Sequence, residues 1–151
     1  MEPRRYAMDK NERLEKAQRY TNEGLNHARE NEYDMALDNF RNAFLLFKEL
    51  GEILHAAFQL GNIGSVYRNM GDYTRSLEEY KKALPLFEQL GHKEGIADQF
   101  TNIAYIHAMK GEKKEALLYY KKALPLYAEI GSDQKYEYTK QNIEVFELEK
   151  Q

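Results

Sequence analysis

The feature that most constrains this chain is an internal repeat of 40 residues. Gly51, Gly91 and Gly131 share one column, each preceded by Leu50, Leu90 or Ile130. The string Tyr80-Lys81-Lys82-Ala83-Leu84-Pro85-Leu86-Phe87 returns as Tyr120-Lys121-Lys122-Ala123-Leu124-Pro125-Leu126-Tyr127. A weaker copy is Phe40-Arg41-Asn42-Ala43-Phe44-Leu45-Leu46-Phe47. Gly71-Asp72-Tyr73 has counterparts in Gly111-Glu112-Lys113 and Asn31-Glu32-Tyr33. Self-similarity at a fixed period means units that cannot bury their apolar faces alone and must stack on one another.

Inside each copy apolar residues recur three and four apart, which is the period of an amphipathic helix. The pattern predicts helices at 10–30, 34–49, 53–70, 74–90, 93–110, 114–130 and 134–149, with no strand signal. Gly51, Gly91 and Gly131 read as left-handed helix stops between repeats, and Gly71 and Gly111 as tight turns within them. The fold class is therefore all-α: a right-handed α-solenoid of three helix pairs, at about 10–50, 51–90 and 91–130, followed by a capping helix at about 134–149. Residues 9–151 form one domain in this reading, and residues 1–8 a flexible N-terminus. Pro85 and Pro125 lie inside helical patterns, where a proline removes a backbone hydrogen bond. Either the helix ends there or it kinks and continues. The apolar spacing through Leu86, Phe87 and Leu90 favours the kink.

The columns resemble the tetratricopeptide repeat. Leu60-x-x-Ile63-Gly64-x-x-Tyr67 leads to Ser76-x-x-x-Tyr80-x-x-Ala83. Phe100-x-x-Ile103-Ala104-x-x-His107 leads to Ala116-x-x-x-Tyr120-x-x-Ala123, and Tyr20-x-x-Glu23-Gly24-x-x-His27 to Ala36-x-x-x-Phe40-x-x-Ala43. Small residues stand where paired helices touch and large ones fill the gaps. The period departs from the usual one of about 34, and the proline that closes the unit is missing from its usual place. Longer helices account for this. Such units resemble those of Gαi-adaptor and kinesin-light-chain proteins and of bacterial peptide-sensing regulators. His27 and His107 replace the usual tyrosine and read as packing residues, too far apart to share a metal.

Terminal faces of a solenoid must be polar. Ile63, Ile103, Val66 and Ile106 should pack backward on the preceding unit, whereas the first repeat has Glu23 and Asn26 in those columns. The last helix carries Ile143 and Phe146 backward but Lys140, Glu144 and Glu147 forward, as a cap would. The expectation is a whole domain rather than a slice of a longer array.

In such a stack the first helix of each pair lines the concave surface. One of its columns is uniform: Asn22, Asn62, Asn102 and Asn142. Asparagine is a mediocre helix former, so four in register need a reason. An amide offers donors and an acceptor, and can therefore pair with the main chain of an extended peptide whatever its side chains. The resemblance implies that role for all four, since similar repeat proteins hold ligand backbone with an asparagine in this column. The alternative is that the amides bridge neighbouring helices. Nearby groove columns supply aromatic and apolar anchors, Phe58, Tyr105, Met109 and Tyr138, of kinds enriched at interfaces, with tyrosine and arginine enriched at hot spots. Arg29 and Arg68 are there too, either to meet an acidic ligand group or as solvated helix ends. Lys81-Lys82 and Lys121-Lys122 alternate with glutamates on the convex face and form no basic stripe.

Composition narrows the function. A net charge of −3 argues against nucleic-acid or anionic-membrane partners, which favour basic chains. No cysteine is present, which removes disulfides, thiolate nucleophiles and cysteine zinc sites. No phosphate-cradling glycine loop, His-Glu-x-x-His or nucleophile elbow occurs, and neither an enzyme nor a cofactor is expected. With no apolar segment of membrane-spanning length or signal-peptide type, a cytoplasmic location is the default. The predicted function is an adaptor that holds another protein or peptide segment in the concave groove. A self-associating module, possible as a homodimer, and a peptide-responsive sensor are the alternatives.

Overall fold

A computed structural model describes residues 8–149, and residues 1–7, where most of the expected flexible N-terminus falls, lie outside them. The described residues form seven helices: α1 (Lys10–Arg29), α2 (Tyr33–Glu49), α3 (Ile53–Asn69), α4 (Tyr73–Gln89), α5 (Lys93–Met109), α6 (Lys113–Glu129) and α7 (Asp133–Leu148). They pair as α1–α2, α3–α4 and α5–α6, with α7 against α6. This is the right-handed solenoid of helix pairs that the repeat predicts, with every helix end within one residue of its expected place.

The reason for that agreement is local. Each junction between α1 and α7 closes by the same two backbone bonds. After α4, for example, the Gly91 N–H donates to Glu88 O at 3.0 Å and the His92 N–H to Phe87 O at 3.0 Å. This pair of bonds requires a left-handed residue at the first position, and Gly91 has φ 61°. Five glycines serve five junctions, and Asn31 (φ 60°) serves the sixth. Asparagine is among the few other residues that tolerate this region.

Between paired helices the packing follows the small-large columns. The Tyr80 ring is fully buried against Gly64, where a Cβ would lie 2.7 Å from the ring. Phe40 stands against Gly24 in the same way, and Tyr120 against Ala104. Burying each such aromatic is worth roughly 1.5–3 kcal/mol. Ser76 Oγ donates to Gly64 O at 2.8 Å, which ties α4 to α3 at their closest approach. A second close approach was not apparent in the repeat: the Phe87 ring lies over Gly95 of α5, where a Cβ would come within 2.2 Å.

Helices α4 and α6 run unbroken through Pro85 and Pro125, so neither proline ends its helix. Both prolines are exposed, as are Lys81 and Lys121 one turn earlier. Each proline therefore lies on the exposed face of its helix, the side on which a lost backbone hydrogen bond costs least.

At the two ends, Glu23 and Asn26 of α1 are exposed. Ile143 of α7 is buried, and Phe146 stacks on Tyr120 with ring centres 6.2 Å apart. Lys140, Glu144 and Glu147 are exposed, and Glu147 pairs with Lys121 at 2.6 Å. Among the described residues no helix is long and apolar enough to cross a membrane.

Candidate functional site

The inner surface is built from α1, α3, α5 and α7, which are placed side by side by the outer helices behind them. Each contributes one asparagine of the ladder. Asn22 is exposed, and Asn62, Asn102 and Asn142 are half-buried. Among the described residues the amides of Asn22, Asn62 and Asn102 have no hydrogen-bond partner. Asn142 Nδ2 donates to the Tyr138 carbonyl one turn back, at 2.8 Å. None of the four bridges two helices.

The anchors sort into two clusters and two outliers. The Arg68 guanidinium lies 5.4 Å over the Tyr105 ring, which spans α3 and α5. Tyr138 and Tyr105 both lie close to the Tyr120 hydroxyl, which reaches the groove from behind; burial first, then these neighbours, hold that phenol above its ordinary pKa. Phe58 packs edge-on to Phe87 (5.1 Å) and to His92 (5.8 Å), yet remains 41% exposed. Met109, at the end of α5, is 51% exposed and stands apart from these aromatics. Arg29 turns to its own helix, with Nη1 donating to Asn26 Oδ1 at 3.3 Å.

The sequence reading missed a polar cleft between α5 and α7. It encloses about 340 Å³ and is lined by Asp98, Thr101, Asn102, Tyr127, Lys135, Tyr138 and Thr139. Lys135 Nζ donates to both oxygens of Asp98 (2.8 and 2.9 Å) and to Glu94 Oε1 (2.9 Å). The Tyr127 hydroxyl donates to Asp98 Oδ1 at 2.7 Å and lies 3.1 Å from Thr101 Oγ1. Burial works against the Lys135 ammonium, but the bonds to Asp98 and Glu94 outweigh it and its pKa is raised. The Lys135 hydrogen bond in turn holds the Glu94 carboxyl below its usual range. Burial pushes the Tyr127 phenol up. This network fixes α7 to α5 and places Asn102 and Tyr138 on the walls of one cleft.

Two further polar groups, Gln59 and Gln99, are buried, and their Oε1 atoms have no hydrogen-bond partner. They share a column 40 residues apart, and that recurrence was the signal available in the sequence.

The histidines act locally. His107 and His27 each pair through Nδ1 with the glutamate five residues on, Glu112 and Glu32, and His107 also stacks on Tyr119. His55 stacks on Phe47, and His92 Nδ1 accepts the Gly95 N–H at 2.9 Å, capping α5. Among the described residues no group of three or more His, Cys, Asp or Glu is arranged to hold a metal.

Helix pairs stacked through small-large columns, presenting a groove on their first helices, define a tetratricopeptide-type scaffold. The tetratricopeptide repeat family profile matches residues 54–129, half of the chain, and the chain belongs to that family. No curated protein matches the sequence. Among solved structures it is similar to the apo form of RapI, with TM-score 0.85 and 18% identity over 91% of this chain and 38% of that one. It is also similar to aspartyl phosphate phosphatase F from Bacillus subtilis, with TM-score 0.76 and 14% identity over 95% of this chain and 42% of that one. The TPR domain of Arabidopsis FLU aligns with TM-score 0.69 and 18% identity, over 82% of this chain and 99% of that one. The chain thus spans about two fifths of the length of the first two, and at these identities the likeness is one of fold.

Proposed function

We propose that this chain is a binding module that grips the main chain of a partner protein or peptide segment in its concave groove. The observation that carries the reading is that Asn22, Asn62 and Asn102 stand in register on the inner helices with amides unspent on the protein itself. An amide that bonds no other residue and is open to water keeps its donors and acceptor for an incoming backbone. Each amide bond to ligand would be worth about 0.5–1.5 kcal/mol net. Phe58, Tyr105, Tyr138 and Met109 supply apolar contact along the same surface, and Arg68 a cation held over an aromatic ring. Arg29 sits at the outer edge of the groove, where a ligand carboxylate would have to displace its contact with Asn26.

The test is a peptide selected from a random-sequence library on the purified protein, titrated against the parent and Asn62→Ala/Asn102→Ala. Loss of two amide bonds predicts binding weaker by more than about tenfold. Because neither amide bonds another residue, melting should hardly move. A double variant that unfolds early while binding normally at low temperature would make these asparagines packing residues and refute the reading.

A further inference from the structure

On the opposite side of the molecule, α2 and α4 stand apart above α3 and leave a cavity of about 430 Å³. That is within the usual range of ligand pockets, roughly 300–1,000 Å³. Its floor and walls are apolar: Phe44, Ile53, Ala56, Leu60, Ile63 and Leu86. Its rim carries Arg41, Lys48 and Lys82 against a single acid, Glu79. Glu79 is committed to Lys82 at 2.9 Å. Lys48 has no carboxylate partner among the described residues, and its ammonium lies 5.9 Å from the centre of the Phe44 ring. Arg41 lies 3.7 Å from Asp38 and donates to the Tyr67 hydroxyl at 2.7 Å, so the net positive charge of the rim rests on Lys48, on a chain whose overall charge is negative.

The chain itself shows what fits such a place. One repeat further on, between α4 and α6, the columns of Leu60 and Glu79 hold Phe100 and Tyr119, and that of Ala56 holds Ile96. There the two rings pack against each other, with centres 6.0 Å apart. Lys122, the counterpart of Lys82, lies over both of them, at 5.7 and 5.2 Å. The same site is thus filled from within by aromatic rings under a lysine in one repeat. In the other it keeps the lysine and lacks those two rings, with Phe44 on its wall where the next repeat has Leu84.

We propose that the cavity between α2 and α4 is a second binding site, which takes an aromatic side chain from an acidic segment of another protein. The ring would replace what Phe100 and Tyr119 supply one repeat later, with Lys82 over its face. The flanking carboxylates would meet Lys48 and share Arg41 with Asp38, which gives the site its charge preference.

The probe is the capped pentapeptide Glu-Glu-Phe-Glu-Glu, followed by amide NMR shifts of the full chain. Shifts should concentrate at Phe44, Ala56 and Leu60 and spare the asparagine ladder. Replacing the phenylalanine by alanine, or the glutamates by lysines, should weaken binding by at least about tenfold. The variant Ala56→Ile/Leu60→Phe/Glu79→Tyr rebuilds the filled site inside the chain and should abolish these shifts. Lys48→Glu, an exposed change that removes only the Lys48 contact with Phe44, should weaken the acidic peptide about tenfold whether or not the filled variant folds. Equal binding to the parent and Lys48→Glu, indifference to loss of the phenylalanine, no shifts at millimolar peptide, or shifts confined to the concave face would each overturn the proposal. So would a dimer of the free parent that the filled variant lacks, because that would assign the cavity to a second copy of the chain.

Discussion

Two glycines in the inner helices should respond to the same substitution in opposite directions. Gly61 lies in the middle of α3, where replacement by alanine gains about 0.8–1 kcal/mol, whereas Gly95 is in the first turn of α5, where the gain is at most that. Their surroundings differ. A Cβ on Gly61 would meet the Gln99 amide at 3.6 and 3.7 Å, ordinary contact. A Cβ on Gly95 would lie 2.2, 2.5 and 2.6 Å from Phe87 Cδ1, Cε1 and Cγ. That ring has no exposed surface, and it is held by Phe58 (5.1 Å) and His92 (5.7 Å), so it cannot retreat cheaply. Overpacking of this kind costs about 1–3 kcal/mol, and a fixed core ring argues for the upper end. Gly61→Ala should therefore stabilise by nearly 1 kcal/mol, and Gly95→Ala should destabilise by about 2 kcal/mol after its propensity gain. At about 2–4 °C per kcal/mol for a chain of this size, the two melting temperatures should separate by roughly 10 °C. Circular dichroism of thermal and urea unfolding reads both. Shifts of the same sign, or a Gly95→Ala as stable as the parent, would refute the view that the α4–α5 contact is set by this close approach.

Gly91→Ala, with nothing within 4 Å of its Cβ, should cost about 1–2 kcal/mol from the left-handed backbone alone, seen as a lower urea midpoint with unchanged slope. Glu94 has its pKa lowered by the Lys135 hydrogen bond, so its contribution is present above the unfolded carboxyl value of about 4.3 and is lost as pH falls through the lower folded value. Glu94→Gln should accordingly flatten part of the acid limb of a stability–pH profile while leaving the profile near neutrality close to parallel with the parent.

The repeat made most of the fold legible, because the signals that set helix ends are local and each is written several times. Gly91 stops α4 by the same backbone geometry with which Gly51 stops α2, and Asn31, aligned with Gly71 and Gly111, takes the same left-handed turn. The backward-facing Ile143 and Phe146 were legible for the same reason. What lay outside the period was hidden. Gly95 has His55 and Lys135 in its column, so nothing marked it as a packing site. Lys135 reaches Asp98 and Glu94, 37 and 41 residues away, through a geometry that the other repeats do not share. The cavity between α2 and α4 arises from volume differences, Leu60 against Phe100 and Glu79 against Tyr119, which pass as ordinary variation until the helices are placed side by side. For the groove, the asparagine column was legible as a pattern, and the structure added that three of its amides are unpaired.

The central claim is that these amides serve a partner's backbone. The most direct measurement is the affinity of a library-selected peptide for the parent and for Asn62→Ala/Asn102→Ala, each checked by its melting curve. A loss of more than about tenfold with melting unchanged is the predicted result. Full affinity in the double variant would contradict it.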